Sequence, residues 1–166
     1  MILLGAIAVL VAAFFLFLPK SGEKGECFDG DCINGPGTLV FKDGRKYIGN
    51  FQNGNYNGTG VLLLPDGRKY EGEWQNDLPN GFGTQINPDG TIYSGEWQDG
   101  KYDGQGTLTT ADGGSYTGAW KDDLPHGTGT LTKPDGSKYS GKFRNGKAVG
   151  EGVLITTDGE EKKISL

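Results

Sequence analysis

The sequence predicts an all-β protein: an elongated, single-layer antiparallel sheet of about six stacked 23-residue β-hairpin repeats, preceded by one N-terminal transmembrane helix. Three observations carry this prediction. Tyr47, Tyr70, Tyr93, Tyr116 and Tyr139 recur at intervals of 23 residues. Glycine supplies 31 of the 166 residues, against an ordinary share of about 7%, and its positions keep the same period. Residues 1–18 carry no charge and consist almost wholly of Ile, Leu, Ala, Val and Phe.

So much glycine excludes a long-helix protein, because each interior glycine costs about 1 kcal/mol against alanine. It does not fall at every third position, which excludes a collagen triplet. An aromatic content of 11% argues against a disordered chain. The 16 Lys and Arg against 21 Asp and Glu leave a net charge of −5. That balance makes nucleic acid a poor partner, since its affinity comes largely from cations on phosphates. Two cysteines and one histidine, His126, are too few for a structural zinc site.

Residues 1–19 read as a transmembrane anchor or signal-anchor, at the short end of what crosses a core of about 30 Å. A cleaved signal peptide is the competing reading, although no basic residue precedes the apolar run and no small-residue cleavage site follows it. A short linker, 20–26, leads to a repeat domain over 27–166. Lys20 and Lys24 follow the run and favour a cytoplasmic repeat domain. Cys27 and Cys32, a paired thiol count in an exported-looking chain, favour an oxidising compartment. The extracytoplasmic, periplasmic side is the expectation, with a single pass through the membrane.

The repeat can be read column by column. Two residues after each tyrosine stands a glycine, and four after it a large ring: Phe51, Trp74, Trp97, Trp120 and Phe143. Tyr-x-Gly-x-Trp therefore puts ring, glycine and ring on one face of a strand. An Asn-Gly or Asp-rich pair follows, from Asn53-Gly54 to Asn145-Gly146, of the type that tolerates the positive φ of tight hairpins. Glycines at eleven and thirteen open a second strand, and an Asp-Gly at nineteen and twenty hands over to the next unit. All three glycine columns are expected to let rings and backbone approach closely. Units start at 47, 70, 93, 116 and 139, after a degenerate first unit over 27–46 that retains Phe28 in the ring column. Residues 160–166 are expected to add a terminal strand whose charges blunt the exposed edge. Gln85 breaks an otherwise aliphatic column.

These residues closely resemble the MORN repeat (membrane occupation and recognition nexus), from Phe28 to Gly159. The resemblance implies an elongated antiparallel sheet and roles in protein interaction, membrane association and the organisation of complexes. It is specific for fold and says little about function, because the repeat is a scaffold. A membrane-anchored, bacterial protein is the expectation.

No catalytic residue, cofactor or metal is expected. Asp66, Asp89, Asp112 and Asp135 read as turn formers rather than calcium ligands, and Gly-x-Gly lacks the rest of a dinucleotide fingerprint. His126 reads as a solvated loop residue. Cys27 and Cys32 are a candidate disulfide replacing the ring packing that the first unit lacks. Tyr47, Tyr70, Trp74, Tyr93, Trp97, Tyr116, Trp120 and Tyr139 stack structurally and form a candidate binding face, since one side of a single-layer sheet is open. Lys138, Lys142, Arg144 and Lys147 form a candidate basic end, whereas Glu71 to Asp123 holds ten acids against Lys101 and Lys121. Opposite charge at the two places suggests self-association or steering of a charged partner. The expected role is a membrane-tethered, non-enzymatic scaffold or protein-interaction module with an unidentified protein partner. The alternative is a carbohydrate-binding or anionic-lipid-binding module using the aromatic face.

Overall fold

The computed structural model describes residues 25–166; the anchor expected over 1–19, and most of the linker, lie outside the described residues. Thirteen strands form one sheet in strict sequence order. The first unit gives β1 (Glu26–Gly30) and β2 (Pro36–Val40). Five units follow: β3 (Lys46–Gln52) with β4 (Asn55–Leu63), β5 (Lys69–Gln75) with β6 (Leu78–Ile86), and β7 (Ile92–Gln98) with β8 (Lys101–Thr109). Then come β9 (Ser115–Lys121) with β10 (Leu124–Thr132) and β11 (Lys138–Arg144) with β12 (Lys147–Ile155), and the tail adds β13 (Glu161–Ser165). Every neighbouring pair is antiparallel, and no helix occurs among the described residues.

The register lines up one glycine from each of β1 to β12. Gly30, Gly37, Gly49, Gly60 and Gly72 face one another in turn, and the row runs on through Gly83, Gly95, Gly106, Gly118, Gly129 and Gly141 to Gly152. Each tyrosine lies over this row. A Cβ on Gly60 would stand 2.3 Å from the Tyr47 hydroxyl, and one on Gly106 would stand 2.4 Å from that of Tyr93. No side chain fits there. The phenols of Tyr47, Tyr70, Tyr93 and Tyr116 donate to the carbonyls three residues on, at 2.9–3.1 Å. The indoles of Trp74, Trp97 and Trp120 donate to Gly60, Gly83 and Gly106 at 3.1–3.2 Å. Buried donors are thus paired, as burial requires.

Rings knit the units together. Tyr70 meets Trp74 of its own unit at 4.9 Å and Trp97 of the next at 5.0 Å, both edge to face. Such pairs add about 0.5–1.5 kcal/mol beyond area burial. Tyr56 and Tyr102, outside the 23-residue columns, stack face to face on Tyr47 and Tyr93 at 3.7 and 3.6 Å.

The glycine at position eleven has a different task from the one expected. Gly58, Gly81, Gly104, Gly127 and Gly150 have φ of 69° to 102°, and in all five of these units the ladder shifts there by a bulge. A bulge bends the strand and increases its twist. The second strand therefore begins directly after the turn and runs through Gly-x-Gly, instead of starting at it. Bending turns each hairpin over its own rings, and a single layer encloses a core.

Both turn types follow the sequence. Asn53-Gly54, Asp99-Gly100 and Asn145-Gly146 occupy paired positive φ, as do Asn76-Asp77 and Asp122-Asp123. The second residue of each turn donates its N–H to a carbonyl in the unit before: Gly54 to Ile33, Asp77 to Tyr56, Gly100 to Pro79, Asp123 to Tyr102 and Gly146 to Pro125, at 2.9–3.1 Å. Aspartate and glycine alternate here for a reason. Tyr56 and Tyr102 have N–H groups, which the Asp77 and Asp123 carboxylates accept at 2.7 and 2.9 Å. Pro79 and Pro125 have none, and glycine follows them. Burial holds both carboxyls above the usual range, against these bonds. Gln85, which breaks the aliphatic column, is buried and donates to Asn87 at 2.7 Å. The pair replaces Leu62 and Leu64 of the preceding unit, so one polar substitution satisfies the other.

Asp77→Ala is expected to cost about 2 kcal/mol or more in urea unfolding, from the lost bond and from alanine's poorer tolerance of positive φ. Gly100→Asp makes the reverse change opposite Pro79, gains no bond and costs about 1 kcal/mol. A neutral or stabilising Gly100→Asp contradicts this pairing rule.

Candidate functional site

The rings read as a candidate binding face are interior. Tyr47, Tyr70, Tyr93, Tyr116 and Tyr139 are at most 1% exposed, and Trp74, Trp97 and Trp120 are 3% exposed. The expectation that one face of a single layer stays open fails because the bulges fold that face inward. The face left exposed to solvent is the opposite one.

Burial has a chemical consequence for the phenols. It raises the pKa of all seven tyrosines, pushing Tyr116 up to about 12 and the others upward as well. They remain protonated donors. Tyr139 is the exception in pairing, with a buried hydroxyl that has no partner. In its unit Lys142 joins the ladder opposite Val149, so the register shift lies between Gly141 and Lys142.

Cys27 and Cys32 form a disulfide. Cys27 faces Leu39 on the side opposite Tyr47, so it takes the tyrosine's row. A Cβ on Gly37 would meet the Cys32 sulfur at 3.0 Å. The sulfur thus sits over the first glycines as phenols sit over later ones, and Cys32 packs against the core. Phe28 does not join the ring column. It falls in a bulge between Cys27 and Asp29 and is 79% exposed. At the other end Ile164 faces Gly152 and packs on the core.

The outward face has three zones. Over β1 to β6 lies a shallow trough of about 910 Å³ whose walls include Ile48, Asn50, Val61, Glu71, Glu73 and Phe82. Phe82 is 63% exposed and Ile48 41%. The Glu73 carboxylate accepts the Phe82 N–H at 2.9 Å, fixing the aromatic beside a charge. Lys69 pairs with Glu71 at 2.7 Å. Further along, hydroxyls pair across strands: Thr84 with Ser94, Thr107 with Thr117, and Thr130 with Ser140, at 3.0–3.2 Å. Beyond them, alternation puts Lys138, Lys142 and Arg144 on one side of β11, with Lys147 facing Arg144 across the turn. His126 lies within β10 next to its bulge, and not in a loop.

The 23-residue columns hid Phe82 and Ile48, because the outward positions vary from unit to unit. The one available signal was strand alternation, which places residues 48 and 82 out of phase with the rings.

Above about pH 10 the unfolded chain gives up phenolic protons that the folded chain retains. Stability is therefore fully present below that pH and falls above it, by about 1.4 kcal/mol per tyrosine per pH unit. Phenolate absorbance and loss of β-sheet circular dichroism are expected in one cooperative transition above pH 10. Phenolates titrating while the sheet persists would contradict the burial.

A family model described as the MORN repeat matches residues 47–67, 70–92, 93–115, 116–138 and 139–161. No curated protein matches the sequence. Among solved structures, the SAS-4 (dCPAP) TCP domain of Drosophila melanogaster, in complex with a proline-rich motif of Ana2 (dSTIL), shares 11% identity. That alignment covers 86% of this chain and 90% of that one, with a TM-score of 0.47. The CPAP G-box domain shares 15% identity over 86% and 99% of the two chains, with a TM-score of 0.30. A virginiamycin B lyase from Staphylococcus aureus shares 16% over 90% and 58%, with a TM-score of 0.23. On five matched repeats spanning most of its length, the chain belongs to the MORN-repeat family.

Proposed function

We propose that this chain is a membrane-tethered, non-enzymatic scaffold whose outward sheet face binds a protein partner. The carrying observation is the trough, where Phe82 and Ile48 stay exposed among Glu71 and Glu73 while the large rings of the repeat are interior. Exposed apolar residues clustered beside charge are what a protein interface presents, with contact area in the middle and polar groups at the rim. Interior rings speak against a glycan stacked on the aromatic column, because reaching them means opening the core.

The uncharged run over 1–18 supplies the tether, and the Cys27–Cys32 disulfide supports an extracytoplasmic, periplasmic location for the repeats. Opposite charges along the ribbon, with acids through Glu71–Asp123 and bases on β11, support steering of a charged partner or of a second copy.

Replacing Phe82 by a benzophenone amino acid and irradiating native membranes is expected to give a discrete protein adduct in the membrane fraction. Ile48→Glu, in the same trough, removes it, and the same reporter at Thr117 gives none. Lipid-only adducts, or identical adducts from both positions, would overturn the reading.

A further inference from the structure

The rim formed by the Asp-Gly turns carries a slot that two units fill with an arginine and that the unit of Gly114 leaves open. In the first, Arg45 is 6% exposed, its guanidinium lies 4.4 Å over the Phe41 ring, and its Nε donates to the Asp43 carboxylate at 2.6 Å. One unit on, Arg68 repeats this, with Nε donating to Asp66 at 2.7 Å. In the next unit the slot at Thr91 stands beside the buried Gln85–Asn87 amide pair.

At the same place two units after Arg68 stands Gly114, and Thr110 replaces Phe41 and Leu64. The space that results is a cavity of about 380 Å³, floored by Leu108, Tyr116, Leu131 and Pro134. This is within the range of small-ligand sites, which are mostly apolar with a few placed polar groups. The turn carboxylate is retained. Asp112 still accepts the N–H two residues on, at 3.1 Å, as Asp43 and Asp66 do at 3.0 and 3.1 Å. It also accepts the Thr110 hydroxyl. Both bonds fall on Oδ1. Neither engages Oδ2, the atom that takes a guanidinium in the two sister slots.

We propose that this open slot binds, in trans, the arginine side chain of a protein partner, the group that its sister repeats carry in cis. The apolar floor takes the methylene stem and Asp112 Oδ2 takes the guanidinium, in the arrangement Arg45 and Arg68 already show. A net excess of acid over Glu71–Asp123 adds long-range attraction for such a partner. One group opposes it: Lys133 stands on the wall where Leu64 stands beside Arg45. Its ammonium weakens the site, and removing it should tighten binding. The inference rests on the protein-binding reading and names the partner's contact chemistry.

The test uses the full chain in detergent micelles with methyl-labelled leucines. Titration with Nα-acetyl-arginine amide is expected to shift the methyl signals of Leu108 and Leu131 saturably. The citrulline analogue, equal in shape but uncharged, binds at least fivefold more weakly. Gly114→Arg fills the slot in cis and abolishes the shifts, although its Cβ must displace the Thr110 hydroxyl 2.8 Å away. Lys133→Leu tightens arginine binding several-fold, and Asp112→Asn weakens it even if Gly114→Arg folds poorly. No shift in the wild-type chain, equal binding of citrulline, or unchanged binding in Gly114→Arg overturns the proposal. Residue 82 is outside this slot, so crosslinking there fails or succeeds independently.

Discussion

Each of the five column tyrosines fits only because the strand beneath its ring carries a glycine and no Cβ. The five column tyrosines rest on glycines at 2.2–2.5 Å from a hypothetical Cβ, and almost everything else in the repeat follows. Because the ring lies flat on the backbone, its hydroxyl reaches a carbonyl three residues on. Because the ring is fixed, the next unit's tryptophan can meet its edge and donate to a glycine carbonyl. Removing the glycine would unseat the phenol, the indole bond and the contact between units together. The ends obey the same condition with other chemistry, a disulfide sulfur over Gly37 and Ile164 opposite Gly152.

A single sheet ordinarily has to bury one face against another layer. Here a left-handed glycine in each second strand bends the hairpin until it covers its own rings. The surface exposed to solvent is consequently the outward face and the turn rim. The interior columns must repeat for the units to stack, whereas outward and rim positions are free to differ. That division explains why an apolar trough, a hydroxyl zone, a basic strand and an emptied arginine slot can follow one another along one ribbon.

Period and strand alternation made most of the fold legible, including strand order, the turn residues, the terminal strand and the core rings. Two things were hidden for physical reasons. A Gly-x-Gly pair looks alike at both positions, yet only the first needs positive φ and only the second lies under a tyrosine ring, so the bulge and the folding of the sheet were invisible. Without that fold the rings seemed available to a ligand. Phe28 was misplaced likewise, because a bulge at Cys27 shifts its register and a disulfide takes the ring's place. The candidate site was least legible, since Phe82, Ile48 and Gly114 are defined by their departure from the repeat.

Tyrosine over a bare backbone is the central claim, and Gly106 isolates it, because the three nearest atoms to a Cβ there all belong to Tyr93. A double-mutant cycle in urea unfolding compares Gly106→Ala in the wild-type chain and in Tyr93→Leu. The account predicts a cost of about 2 kcal/mol or more in the first background, on the scale of overpacking. In the second the cost vanishes, leaving a coupling energy of that size. An equal cost in both backgrounds would show that the glycine serves the backbone alone, and would contradict the account.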